Sequence, residues 1–76
     1  MPPRHRQLPK QFGATVRTLR KKAGLTQLKL AERADLALTY VGEIERGEKV
    51  VSLETIRQLG EALSLSAAEL LKRAGI

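Results

Sequence analysis

Nine of the fourteen basic side chains fall within the first 33 residues: Arg4, Arg6, Lys10, Arg17, Arg20, Lys21, Lys22, Lys29 and Arg33. Glu32 is the single acid among them, so this stretch carries a net charge of +8, whereas residues 34–76 carry −2. The chemistry open to such a cluster is polyanion binding, because cations that neutralise phosphates release condensed counterions. Nucleic acid is the first ligand this predicts and an anionic membrane surface the second. The plainer alternative is that these side chains only solvate helix faces.

Catalysis finds no footing in the same inventory. His5 is the only histidine and Asp35 the only aspartate. No serine, histidine and acid set can be assembled from them, and no glycine-rich phosphate loop is present. Without cysteine there is no disulfide and no thiolate metal site. His5 lacks partners as a metal ligand, so neither an enzyme nor a cofactor is expected. The apolar stretches are a few residues long, too short to span a bilayer, and the basic N-terminus lacks the apolar run of a signal peptide. The expectation is a cytoplasmic protein of one domain, since 76 residues bury only a small core.

The elements that would position the basic residues can be read from periodicity and punctuation. Residues 1–8 hold prolines and basic groups without an apolar period, and read as a flexible arm; residues 9–76 read as the domain. Pro9 suits the first turn of a helix. Phe12, Val16, Leu19 and Ala23 then share one face, with Arg17, Lys21 and Lys22 opposite, and Gly24 stops the helix. Thr26 caps a second helix whose apolar face is Leu30, Ala31 and Ala34. Asp35 stands where a tight turn needs a left-handed residue, which aspartate tolerates.

A third helix is predicted over Ala37–Arg46, with Val41 and Ile44 inward and Leu38, Thr39, Gly42, Glu43 and Arg46 on other faces. Gly47 ends it. Ser52 opens a fourth helix with Leu53, Ile56, Leu59, Gly60 and Leu63 inside. Ser66 and Glu69 form a capping box for a fifth, through Leu70, Leu71 and Ala74. The fold class is therefore all-α, with five short helices. Helices two and three, joined by a short turn, can meet at a steep angle through the small Ala31 and the branched Val41 and Ile44. That arrangement projects the N-terminal part of the third helix, where it can enter a major groove.

The stretch TQLKLAERADLALTYVGEIERG resembles the helix-turn-helix of the lambda-repressor and Cro-like (XRE) family. The matching positions are Thr26-Gln27, Leu30-Ala31, Thr39-Tyr40-Val41 and Ile44-Glu45-Arg46-Gly47, then Ser52-Leu53-Glu54-Thr55 with Leu59 and Leu63. The resemblance extends over about residues 10 to 73. It implies a sequence-specific, double-stranded DNA-binding transcriptional regulator with a recognition helix at about 37–46, acting as a dimer on a palindromic operator. It also implies roles by position. Leu38, Thr39, Gly42 and Glu43 would face the bases: Thr39 bonding a base edge, Glu43 accepting from a cytosine amino group, Leu38 touching a thymine methyl. Gln27, Tyr40, Arg46 and Lys49 would contact phosphates, and Arg20 would pair with Glu45 to lock the recognition helix to the scaffold.

The basic first helix adds Arg17 and Lys22 as phosphate contacts, and the arm adds Arg4, Arg6 and Lys10, with His5 beside them. Three positions depart from the family pattern. Asp35 replaces a common glycine, Ala37 removes a helix cap of about 1 kcal/mol, and Gly42 costs the recognition helix about 1 kcal/mol against alanine. Few polar base readers remain, so DNA shape is expected to contribute to site choice. A homodimer is expected through the region of the last two helices, with Leu65, Leu71 and Ile76 at the interface and Leu70 in the core. The competing function is a protein-interaction module, such as an antitoxin-like subunit or an adaptor that keeps the fold. Leu38 and Glu43 on the reading face favour that alternative; the +8 half opposes it.

Overall fold

The computed structural model describes residues 7–76. The arm residues Arg4, His5 and Arg6 lie outside the described residues. Five helices and no strand make up the described chain: α1 (Gln7–Lys22), α2 (Gln27–Ala34), α3 (Leu38–Glu45), α4 (Leu53–Ala62) and α5 (Ala67–Arg73). The helix starts follow the capping chemistry of the sequence. Thr26 accepts from the Lys29 N–H, Ser52 from Thr55 and Ser66 from Glu69, each satisfying a backbone donor that the first turn leaves without a partner. At α5 the Glu69 carboxylate reaches back to the Ser66 N–H at 3.0 Å and completes the capping box. Ala37 offers α3 no side-chain cap.

All five helices end in the same way. A residue in the left-handed region follows each one: Gly24, Asp35, Gly47, Ser64 and Gly75. Behind each, two backbone N–H groups return to carbonyls of the last turn, as in Asp35 N to Glu32 O (3.3 Å) and Leu36 N to Ala31 O (2.9 Å). These paired bonds occupy carbonyls that the helix end would leave open. Asp35 takes φ 57° and Ser64 φ 62°, so two of the five ends place a side chain where glycine is favoured.

Phe12 and Val16 of α1, Leu30, Ala31 and Ala34 of α2, Val41 and Ile44 of α3, Ile56 and Leu59 of α4 and Leu70 of α5 form one continuous core. α3 lies between α1 and α2, and α4 joins α2 to α5. Gly13 sets how closely α1 and α3 meet. A Cβ there would overlap the Ile44 carbonyl oxygen and sit 3.0 Å from that of Glu45, so the two backbones run in contact. On the other side, Gln58 of α4 donates to the Ala34 carbonyl at 3.1 Å and fastens the end of α2.

Three expectations need correction here. α1 begins at Gln7, so Gln7, Leu8 and Lys10 belong to the helix and not to an arm. Pro9 still sits in the first turn, where an N–H has no intrahelical partner. Ala23 lies one residue past the end of α1, directly before the left-handed Gly24, and is exposed. Leu53 is 81% exposed: it is the first residue of α4, one turn before Ile56, where no neighbouring helix covers it.

Candidate nucleic-acid interface

Glu45 is the junction of the first three helices. Its carboxylate accepts from Arg20 Nε at 2.7 Å and Arg20 Nη2 at 3.0 Å, a bidentate pair between the ends of α1 and α3. Gln27, the first residue of α2, donates to the same carboxylate at 3.0 Å. Arg20 Nη1 also holds the Leu25 carbonyl at 2.9 Å, so the loop into α2 is tied to the same guanidinium. The Arg20 and Glu45 side chains are 10% and 2% exposed. Hydrogen bonding to Glu45 raises the Arg20 pKa further, against the opposing effect of burial. A forked guanidinium on a carboxylate fixes direction as well as distance. The orientation of α3 is therefore set from two sides, by the Gly13 backbone contact and by this polar knot.

The other face of α3 is open. Leu38 is 46% exposed and Thr39 is exposed, both in the first turn that follows the Asp35–Ala37 turn. Tyr40 is half-buried and packs on the core to which the buried Val41 and Ile44 belong. Leu28, near the start of α2 and outside the Leu30, Ala31 and Ala34 face, is 54% exposed.

The remaining site residues divide. Gln27 braces α3 through Glu45 and is only partly exposed. Arg46 and Glu48 form a close pair, with Nε to Oε2 at 2.7 Å, and Lys49 Nζ lies 3.9 Å from Glu43 Oε2. Gly42, expected on the base-facing surface, is buried: a Cβ there would stand 3.1 Å from Arg46 Nη1 and 3.8 Å from Gln27 Oε1. The Arg46 side chain folds back over it, so its backbone is not free to approach DNA. Lys10 lies against Gly47, within α1. Arg17 is exposed on α1, but Lys22 shares a shallow depression with Thr15, Thr18 and Arg73, beside α5. At 100° per residue Lys22 is opposite Gly13, so it points away from α3 and falls outside this interface. Sequence reading missed Glu48, whose role depends on the chain reversal at Gly47.

A helix held by its buried side, with its first turn exposed behind a left-handed turn, defines the helix-turn-helix class. Residues 11–72 match the profile of the helix-turn-helix domain. The control protein C.BamHI of Bacillus amyloliquefaciens is 43% identical over 61 residues, covering 79% of this chain and 75% of that protein. The crystal structure of the restriction-modification controller protein C.AhdI from Aeromonas hydrophila superimposes with a TM-score of 0.78 at 42% identity, over 82% of this chain and 94% of that one. The clp gene regulator ClgR from Corynebacterium glutamicum superimposes with a TM-score of 0.83 at 37% identity, over 90% of this chain and 72% of that one. The chain belongs to the helix-turn-helix family of lambda-repressor and Cro-like transcriptional regulators.

Proposed function

We propose that this regulator binds double-stranded DNA sequence-specifically, with the first turn of α3 in the major groove. The observation that carries this reading is the contrast along α3. Val41, Ile44 and Glu45 are buried and locked, whereas Leu38 and Thr39 face solvent on a rigid support. Thr39 supplies a base-edge hydrogen bond and Leu38 an apolar contact to a thymine methyl. Arg17, Arg46 and Lys49 supply phosphate contacts on the flanks, and Arg4 and Arg6 extend them. Likeness to C.BamHI and C.AhdI, a control protein and a restriction-modification controller, supports regulation of transcription.

The same reading takes the protein as a homodimer on a palindromic site, with half-sites about 34 Å apart. Leu71 and Ile76 line an apolar groove of about 210 Å³ with Leu8, Val50 and Val51, and Ile76 is 50% exposed. Leu65 lies in the turn between α4 and α5, partly buried against the core and outside that groove. The dimer face is therefore Leu71 and Ile76 with Val50, without Leu65. Selection of bound duplexes from a random pool tests both halves of the proposal. Recovery of a symmetric motif supports it; recovery of unenriched sequence rejects sequence-specific binding.

Exposed Leu28 and Leu38 give the protein-interaction reading its own support. Binding to duplex DNA across a salt series separates the two. A steep loss of affinity with salt identifies phosphate contacts, and an absence of binding at low salt identifies the interaction module.

A further inference from the structure

The C-terminal end of α3 and the turn after it carry five charges within seven residues; Glu45 is buried against Arg20, and the other four are Glu43, Arg46, Glu48 and Lys49. They pair among themselves. Arg46 holds Glu48 through Nε at 2.7 Å and Nη2 at 3.3 Å, and Lys49 faces Glu43 at 3.9 Å. These four sum to zero charge, at the edge of the surface proposed to meet DNA. The backbone imposes the arrangement. Gly47 takes φ +75°, its N–H bonds the Ile44 carbonyl, and the Glu48 N–H returns to the Glu43 carbonyl at 2.9 Å. This reversal swings Glu48 back beside the helix it follows. Arg46 completes the closure by lying across Gly42, where no side chain stands in its way.

Both partners remain accessible, with Arg46 58% and Glu48 50% exposed at the side chain. A carboxylate that grips a guanidinium by two hydrogen bonds presents the geometry of a phosphate. We propose that Glu48 is an internal surrogate for a DNA phosphate, which occupies Arg46 in the free protein and must be displaced before Arg46 can grip the backbone. The clasp subtracts an electrostatic contact from every non-specific encounter. It yields where the seating of α3 on a matching site brings a phosphate up to Arg46, and so widens the gap between matching and non-matching DNA. Glu48 is thereby a specificity determinant that touches no base. The inference rests on the DNA-binding reading above.

The test measures affinity for a labelled mixed-sequence duplex by fluorescence anisotropy across a salt series, in the full-length chain. Glu48→Gln should tighten non-specific binding about two- to fivefold, the range that an exposed ion pair can contribute. It should also steepen the salt dependence by up to about one counterion. Glu61→Gln, which removes an equal charge from the far side of α4, controls for net charge. In an R46Q background the gain from E48Q should fall to that of E61Q. Equal gains from E48Q with and without Arg46, or weaker binding by E48Q alone, overturn the proposal. Wild-type protein that binds no duplex at low salt overturns the DNA-binding reading and this inference together. Wild-type binding without a gain from E48Q overturns the inference alone.

Discussion

Arg20 and Glu45 stand 25 residues apart in sequence and meet through two parallel hydrogen bonds in a site nearly closed to solvent. Removing either partner strands the other charge, which costs about 3–5 kcal/mol for a buried pair. Arg20→Ala and Glu45→Ala should each lower stability by that order. The double variant should be much less destabilised than the sum, because no orphan charge remains. Urea denaturation of the four proteins gives the coupling; additive losses would show that the pair does not act as a unit.

Gly13 makes a second claim on the same helix. With the Ile44 carbonyl where its Cβ would sit, Gly13→Ala must push α1 away from α3. Overpacking against backbone cannot be relieved by a rotamer change, so a loss of about 3 kcal/mol is expected. At Gly24 no atom lies within 4 Å of the added Cβ, and only the left-handed backbone resists. Gly24→Ala should cost about 1 kcal/mol. Thermal melts of the two variants compare steric with conformational strain directly.

The helix ends leave room for stabilisation. Ser64 and Asp35 hold left-handed backbone that glycine adopts freely. Ser64→Gly should gain about 1 kcal/mol, and Asp35→Gly less, since a short polar side chain tolerates this region. Ala37 stands at the extended cap position of α3 with no side-chain acceptor. Ala37→Ser should add a cap of about 1 kcal/mol. A lower melting temperature for Ala37→Ser would mean that the cap geometry is not available to serine.

Acid should act first through capped and paired carboxylates. The Ser66 backbone N–H, then the Ser66 hydroxyl, hold the Glu69 carboxyl below its ordinary range. Arg46 does the same for Glu48, and Arg57 for Glu54, each mainly by hydrogen bonding. The unfolded chain binds protons at these groups at a higher pH than the folded chain does. Their stabilisation is therefore full above the ordinary carboxylate range and is lost as pH falls through the lowered folded values. Glu69→Gln keeps an acceptor for the Ser66 N–H but does not titrate, so its denaturation midpoint should vary less with pH on the acid side. An unchanged acid limb would remove Glu69 from the account.

Much of the fold was legible because its signals are local. Ser66 with Glu69 and the glycines after α1 and α3 act within one helical turn, and a reading of adjacent residues recovers them. Leu53 was misplaced because periodicity records the face of a helix and not whether a neighbour covers it. Gly42 was misread for a related reason. Its environment comes from an arginine one turn on, whose direction is set by Glu48 beyond a chain reversal. Gly13 carried no local signal at all, since its partner is the backbone of α3. The left-handed turn at Ser64 was equally silent, as serine is not the residue usually found there.

Gln11 donates its side-chain amide to the carbonyl of Ala74, 63 residues away. It ties the first helix to the end of the last, and Gly75 packs against the same side chain. A contact of this span closes a loop of nearly the whole described chain, and the entropy of closure grows with loop length. In kinetic terms it should form late, after the helix pairs between have assembled. Once made, it spares the last helix from fraying on its own: opening at α5 must release α1, the helix whose glycine and arginine aim α3.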